Sequence, residues 1–331
     1  LVKKILQHKY LNFLIKFLIT ALLIWTIYAQ VFAKENITDI WQTFVDHFTF
    51  PNLYWLVAVL FLVPFNWGFE TLKWGELIKS FSNISFWRAY RAILAGVTVS
   101  LFTPNRIGEY GGRILMVKPE NNWKAIVATL VGSMSQLMIL LTFGLIGAVY
   151  FSAQFLNPEA YILKSVVVLG LIFIALLIMC FFNIDLLIPL IKRLPYAEKL
   201  KKYVKHVQVL RNYSNEILAS VLFYSLLRYA TYTTQYFLIL QFFGIEVPIL
   251  AAFAGIATIF LLQTSVPLPP IMGLLARGEF ALFIWGFFST NEIDVLAATF
   301  SLFVINLMLP ALLGLLFIIQ TNVVESLGGR R

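Results

Sequence analysis

Charge is the scarcest commodity in this 331-residue chain. Asp, Glu, Lys and Arg make up 12% of it, about half the share usual in a soluble domain. That level leaves too little polar surface to keep a soluble fold of this size in water. A single cysteine, Cys180, excludes an intrachain disulfide and any cysteine-based metal site. The three histidines, His8, His47 and His206, lie far apart, without the spacing of metal ligands. Phosphate-binding Gly-rich loops, zinc-protease helices, nucleophile elbows and dinucleotide fingerprints are all missing. No catalytic residue, cofactor or metal is therefore expected, and the chain is not read as an enzyme.

Apolar residues fill the space left by charge. They amount to 60% of the chain, 16% of it aromatic, and the mean hydropathy is +0.85. Apolar runs approach or exceed the roughly 20 residues that a helix needs to cross a bilayer. The short alternating segments of a membrane β-barrel do not occur. The expected class is an all-α polytopic membrane bundle forming one integral membrane domain over 1–331. Helices are expected near 11–33, 53–73, 124–151, 161–182, 217–243 and 295–320, with a bend near Pro64. The first run is longer than a signal-peptide core of about 7–15 residues, so it is expected to remain as a helix. Residues 34–52 read as an interfacial loop.

Two apolar stretches are broken by prolines, glycines and ions. One is 101–113, with Pro104, Arg106, Gly108, Glu109 and Arg113. The other is 264–279, with Pro267, Pro269, Pro270, Gly273, Arg277 and Glu279. Charges at membrane depth point to function, and broken helices in corresponding halves point to a transport site. Each break is expected to be a re-entrant hairpin. Loop charge supports this. With both hairpins returning to their side of entry, 18 Lys and Arg collect in the N-terminus, 73–91, 118–124, 183–216 and the C-terminus. The opposite loops hold Lys34 and seven acids. Such a bias marks the first side as cytoplasmic, with both termini there. The net charge of +9 then reflects cytoplasmic loops rather than a nucleic-acid partner. The hairpins enter from opposite sides, an inverted repeat: 11–143 with 144–182 form the first half, 183–216 a basic cytoplasmic loop and 217–320 the second half. Within that loop, 192–213 mixes basic and apolar positions, as does a segment lying on an anionic leaflet.

Within the first break, a half-helix starting near Asn105 would put Arg106, Glu109 and Arg113 within about 60° of one face. Glu109 can pair with one arginine and leave the other for an anionic oxygen. In the second break Arg277 and Glu279 are two apart and face different ways. Arg228 lies on a polar stripe with Ser225, Tyr232 and Gln235. Asn66, Glu70 and Lys73 read as an interfacial cluster. Gln136, Ser135 and Asn306 read as interhelical hydrogen-bonding groups. The candidate binding set is Arg106, Glu109, Arg113, Arg228, Arg277 and Glu279, with hairpin breaks at Pro104, Gly108, Pro269, Pro270 and Gly273.

The run Thr103-Pro104-Asn105-Arg106-Ile107-Gly108-Glu109, followed by Arg113, resembles the signature of the lysylphosphatidylglycerol synthase transmembrane-region family, also called flippase-like. The second break, with Pro269, Pro270, Gly273 and Glu279, is similar to that family's second motif, although Arg277-Gly278-Glu279 comes later than the family's spacing. The resemblance covers about 10–320. It implies a bacterial inner-membrane protein with re-entrant helices, associated in some members with flipping aminoacylated phospholipids and in others with polyprenyl-linked glycan or glycolipid pathways. These residues include no synthase module, so aminoacyl transfer is not expected of them. The partners implied are membrane lipids: an anionic or aminoacylated phospholipid, or a polyprenyl-phosphate-linked lipid, to be translocated. The alternative is a non-transporting scaffold or regulator of a cell-envelope enzyme.

Overall fold

The computed structural model describes residues 2–29, 37–103, 106–186, 188–189, 206–265 and 270–328. Pro104, Asn105, Pro267 and Pro269 lie outside the described residues, as do 192–205 of the expected leaflet-lying segment. The described elements are helical, with no strand among them. Thirteen α-helices are used below: α1 (Val2–Ile27), α2 (Ile37–His47), α3 (Phe50–Ile78), α4 (Phe86–Ser100), α5 (Gly108–Ile114), α6 (Asn122–Phe151), α7 (Ala160–Phe182), α8 (Asn215–Phe242), α9 (Ile249–Ser265), α10 (Pro270–Trp285), α11 (Glu292–Phe303), α12 (Leu309–Gln320) and α13 (Val323–Ser326). Five segments are long and apolar enough to cross a membrane: Tyr10–Ile27, Phe50–Ile78, Pro119–Leu156, Ala160–Phe182 and Glu292–Gln320. With 28 residues α8 is comparable in length, but its interior carries Arg228 and Gln235.

The expected interfacial loop contains α2. Its apolar side is anchored by Ile40, which is buried, and by Phe44, whose ring lies 5.5 Å from that of Phe242. The α3 helix runs unbroken through Pro64. The last span consists of α11 and α12 joined by a π-helical turn, Val304–Met308, ahead of Pro310. A proline lacks the N–H that would continue the ladder, and a widened turn accommodates that loss.

Both expected breaks are hairpins. In the first, a Cβ on Gly108 would come within 2.3 Å of the Val99 carbonyl, and one on Gly112 within 2.4 Å of the Ala95 carbonyl. Contacts that rise along one helix and fall along the other show that α4 and α5 are antiparallel. Only glycine lets the two backbones approach so closely. The second hairpin closes in the same sense, with Gly255 of α9 against Ile284 and Trp285 of α10. Gly273 differs from the expected break residue: α10 already begins at Pro270, and a Cβ at 273 would meet nothing within 4 Å.

Interhelical contacts also fix relative directions. Gln235 donates to the Val59 carbonyl at 2.9 Å, while Arg228 reaches Glu70, so α3 and α8 are antiparallel. Trp74 bonds Thr129 and Lys73 reaches Gln136, so α3 and α6 are antiparallel too. Thr98 donates to the Ala311 carbonyl, and Gly314 packs on Leu94, which sets α4 against α12. Gly144 and Gly147 of α6 meet Leu261 and Ala257 of α9. Two units result: α3, the α4–α5 hairpin and α6; then α8, the α9–α10 hairpin and α11–α12. Their helices run in opposite directions, and α4 and α9, the first helices of the two hairpins, start at opposite ends of the bundle.

One end of the bundle gathers the basic segments. There Asn12 bonds the Val323 amide, Asn122 the Ser326 carbonyl, Asn121 the Phe81 carbonyl and Tyr213 the Leu77 carbonyl. The described parts of the five basic regions therefore share one face, as loop charge required. The α1 and α7 helices lie outside this paired core. Only Phe181 of α7 is buried, so α7 is an addition to the first unit rather than part of the repeat.

Candidate functional site

The hub of the interior is Glu70. Its carboxylate is 2% exposed and takes three cations: Lys73 at 2.6 Å, Arg113 at 2.6 Å and Arg228 at 2.7 Å. The expectation of an interfacial Asn66–Glu70–Lys73 cluster is thus corrected, because the partners come from α5 and α8 and lie in the core. Arg228 does not snorkel to the surface. Its Nε donates to Asn66 at 3.3 Å, Asn66 donates to Asn306 at 3.1 Å, and the guanidinium packs 5.0 Å from the Trp67 ring. The π-turn between α11 and α12 is what carries Asn306 to this point. Lys73 also reaches Gln136 at 3.4 Å, and Ser135 and Ser225 share a hydrogen bond of 2.8 Å. Those groups are interhelical links, as their composition suggested.

The first hairpin supplies the second carboxylate. Glu109 pairs with Arg113 on one side and with Arg106 at 3.6 Å on the other. The three residues do not form one helical stripe. The α5 helix starts at Gly108, and Arg106 stands in the connection with φ +58, a left-handed conformation uncommon for a side chain of its size. The Thr103 hydroxyl accepts from the Gly108 amide at 2.8 Å, at the start of α5. That bond takes up the first free N–H of a helix only seven residues long.

Arg113 is 1% exposed and fixed between two carboxylates, with its guanidinium against Trp74. It holds α5 to α3 and does not line an open space. Arg106 does. Among the described residues its Nε and Nη2 have no hydrogen-bond partner.

Beside this network lies a cavity of about 570 Å³. Arg106 reaches it from the first hairpin, Gln263, Thr264 and Arg277 from the second, and Arg228 and Tyr232 from α8. Residues of both hairpins therefore line one space. Arg277 lies over the Phe303 ring at 5.8 Å, and no ion pair is found for it among the described residues. Glu279 is exposed on another face of α10 and makes no ion pair there. Of the six candidate binding residues, Arg106, Arg228 and Arg277 line the cavity. Glu109 and Arg113 brace it, and Glu279 lies apart. Among the described residues five cations (Lys73, Arg106, Arg113, Arg228 and Arg277) accompany two carboxylates here, an excess of three positive charges. Each unpaired charge at depth costs roughly 2.5–3.5 kcal/mol on insertion scales.

Arg228 is 13 residues into a 28-residue helix, about 20 Å from its start. The site is thus at mid-depth of the bundle. Residues 13–314 match the sequence model of the lysylphosphatidylglycerol synthase TM region. The chain belongs to this family. It is accordingly a multi-pass membrane protein of a lipid-related family. No curated protein and no solved structure matches it.

Proposed function

We propose that this family member is a lipid translocase that carries a phosphate-bearing headgroup through the mid-depth cavity. One observation carries the reading: arginines from both hairpins and from α8 converge on a single space with too few carboxylates to neutralise them. A headgroup phosphate supplies the missing negative charge, and guanidinium groups suit its planar pairs of oxygens. In this reading Glu109 orients Arg106, Glu70 orients Arg228, and the hairpins are re-entrant from opposite leaflets. The two inverted units rock about the cavity to expose it alternately. The basic end faces the cytoplasm of a bacterial inner membrane by the positive-inside rule. The protein moves lipid without making or breaking a covalent bond.

The test is reconstitution in liposomes with lipids of several headgroups, following headgroup exposure with a membrane-impermeant reagent. Wild-type protein is expected to move at least one phosphate-bearing lipid, and Arg106→Ala and Arg277→Ala to move it at least tenfold more slowly, the loss of one charge-assisted contact. Protein that moves none of them would leave the alternative, a scaffold for an envelope enzyme. The feature that favours a scaffold is α7, whose apolar faces cover almost nothing in the bundle. A scaffold predicts that the arginine variants are silent and that replacing outward residues of α7 releases the partner.

A further inference from the structure

A second cavity, of about 560 Å³, lies between α6, α8 and α9. Phe143, Leu226 and Phe253 line it, and no charged residue does. Its rim residues Ile146 and Leu250 are 58% and 63% exposed, so it opens sideways toward the hydrocarbon of a surrounding bilayer. Tyr229 lines both this cleft and the arginine cavity, and Arg228, its neighbour in sequence, has its charged end in the latter. The two spaces are therefore adjacent compartments of opposite character: one lined by arginines from both hairpins and α8, the other free of charged residues.

We propose that they form one composite site for a single lipid whose headgroup carries at least two negative charges, a phosphomonoester or a diphosphate, with one hydrocarbon chain of that lipid in the cleft. The placement of the headgroup rests on the translocase reading; the choice of headgroup and the seating of the chain go beyond it. The charge excess argues the headgroup. Glu70 and Glu109 already offset part of the charge of Arg228 and Arg106, yet Arg277 meets no carboxylate among the described residues, and the cluster is three cations in excess. A phosphodiester brings one negative charge and leaves two cations uncompensated. A lysylated headgroup, cationic overall, adds to the excess and is rejected. A diphosphate or phosphomonoester comes closest to neutrality. The chain follows from adjacency: Tyr229 borders both spaces, so a headgroup held at Arg228 has the apolar cleft on the far side of one side chain.

Binding tests this independently of movement. The full-length protein in phosphatidylcholine nanodiscs is titrated with tail-labelled phosphatidic acid, a polyprenyl diphosphate, phosphatidylglycerol and lysyl-phosphatidylglycerol, with inorganic diphosphate as competitor. The first two should bind about tenfold or more tighter than phosphatidylglycerol, the difference expected for one further charged hydrogen bond, and the lysylated lipid weakest of all. Inorganic diphosphate should bind measurably but more weakly than the diphosphate lipid. Arg277→Gln should weaken every anion about tenfold, while Arg277→Lys retains most of the affinity. Ala230→Trp, at an exposed position on the cleft wall, should lower lipid affinity to that of inorganic diphosphate and leave inorganic diphosphate binding unchanged. Lysyl-phosphatidylglycerol binding as tightly as phosphatidic acid would overturn the headgroup assignment. Inorganic diphosphate matching the lipid, with Ala230→Trp silent, would overturn the composite site in favour of a free anion. Selective binding without movement in liposomes would sink the translocase and leave this inference standing.

Discussion

The two hairpins are built alike in outline and opposite in charge economy. In the first, every ion has a protein partner: Arg113 on Glu70 and Glu109, Arg106 on Glu109. Its backbones touch through Gly108 and Gly112. In the second, Arg277 has an aromatic ring for company and no carboxylate among the described residues, and a Cβ on Gly273 would meet nothing within 4 Å. The first hairpin is locked by its own chemistry; the second waits for charge from elsewhere. A buried ion pair is weak evidence for function, because its partners need each other simply to tolerate burial. A deep cation with no protein anion is the stronger sign of a ligand.

The comparison breaks most visibly at Glu70. Glu70→Gln leaves Lys73 and Arg228 in the core without a carboxylate, and Arg113 with Glu109 alone; it should cost at least about 3–5 kcal/mol, the range for removing one partner of a buried pair. Thermal unfolding in detergent should show a large fall in Tm or no folded protein. Next come the glycines. Gly112→Ala forces a Cβ against the Ala95 carbonyl and should cost roughly 1–3 kcal/mol through overpacking. Gly273→Ala has open space and should be neutral or stabilising by up to about 1 kcal/mol. Equal effects at the two glycines would erase the contrast between a closed hairpin and an open one. Arg277→Ala should leave Tm nearly unchanged while transport falls, whereas Arg113→Ala should lower Tm sharply. The smallest effect is expected at Glu279: Glu279→Gln should alter stability by no more than about 0.5 kcal/mol, as at ordinary surface positions, and leave transport intact.

Much of the architecture was legible because membrane folding is written locally. Apolar length marks spans, and Lys and Arg in short loops sort the ends, so the basic segments could be assigned to one face before their contacts were known. The breaks themselves were visible as proline, glycine and charge. What could not be read was pairing across the fold. Glu70 and Lys73 lie near enough to the end of α3 to pass for an interfacial pair. Nothing local says that Arg113 and Arg228, 43 and 158 residues later, turn the glutamate into a hub. The i, i+3, i+7 spacing suggested a continuous stripe, but α5 starts only at Gly108, and Arg106, with φ +58, stands outside it. In α2 the apolar residues Ile37, Ile40, Trp41, Phe44 and Val45 do recur at helical spacing, a signal the loop reading passed over, and packing on Phe242 from α8 completes the helix. The π-turn that delivers Asn306 has only Pro310 as its sequence signal.

The central claim is that two half-sites of unequal construction form one anion site. A double-mutant cycle on Arg106→Ala and Arg277→Ala, read by binding of the polyprenyl diphosphate in nanodiscs, tests it most directly. Residues that share a bound group couple by about 0.5–3 kcal/mol, and independent ones add within about 0.3–0.5 kcal/mol. The account predicts coupling within the first range, with the double variant losing less than the sum of the single losses. Strict additivity, or binding unchanged in either single variant, would contradict it.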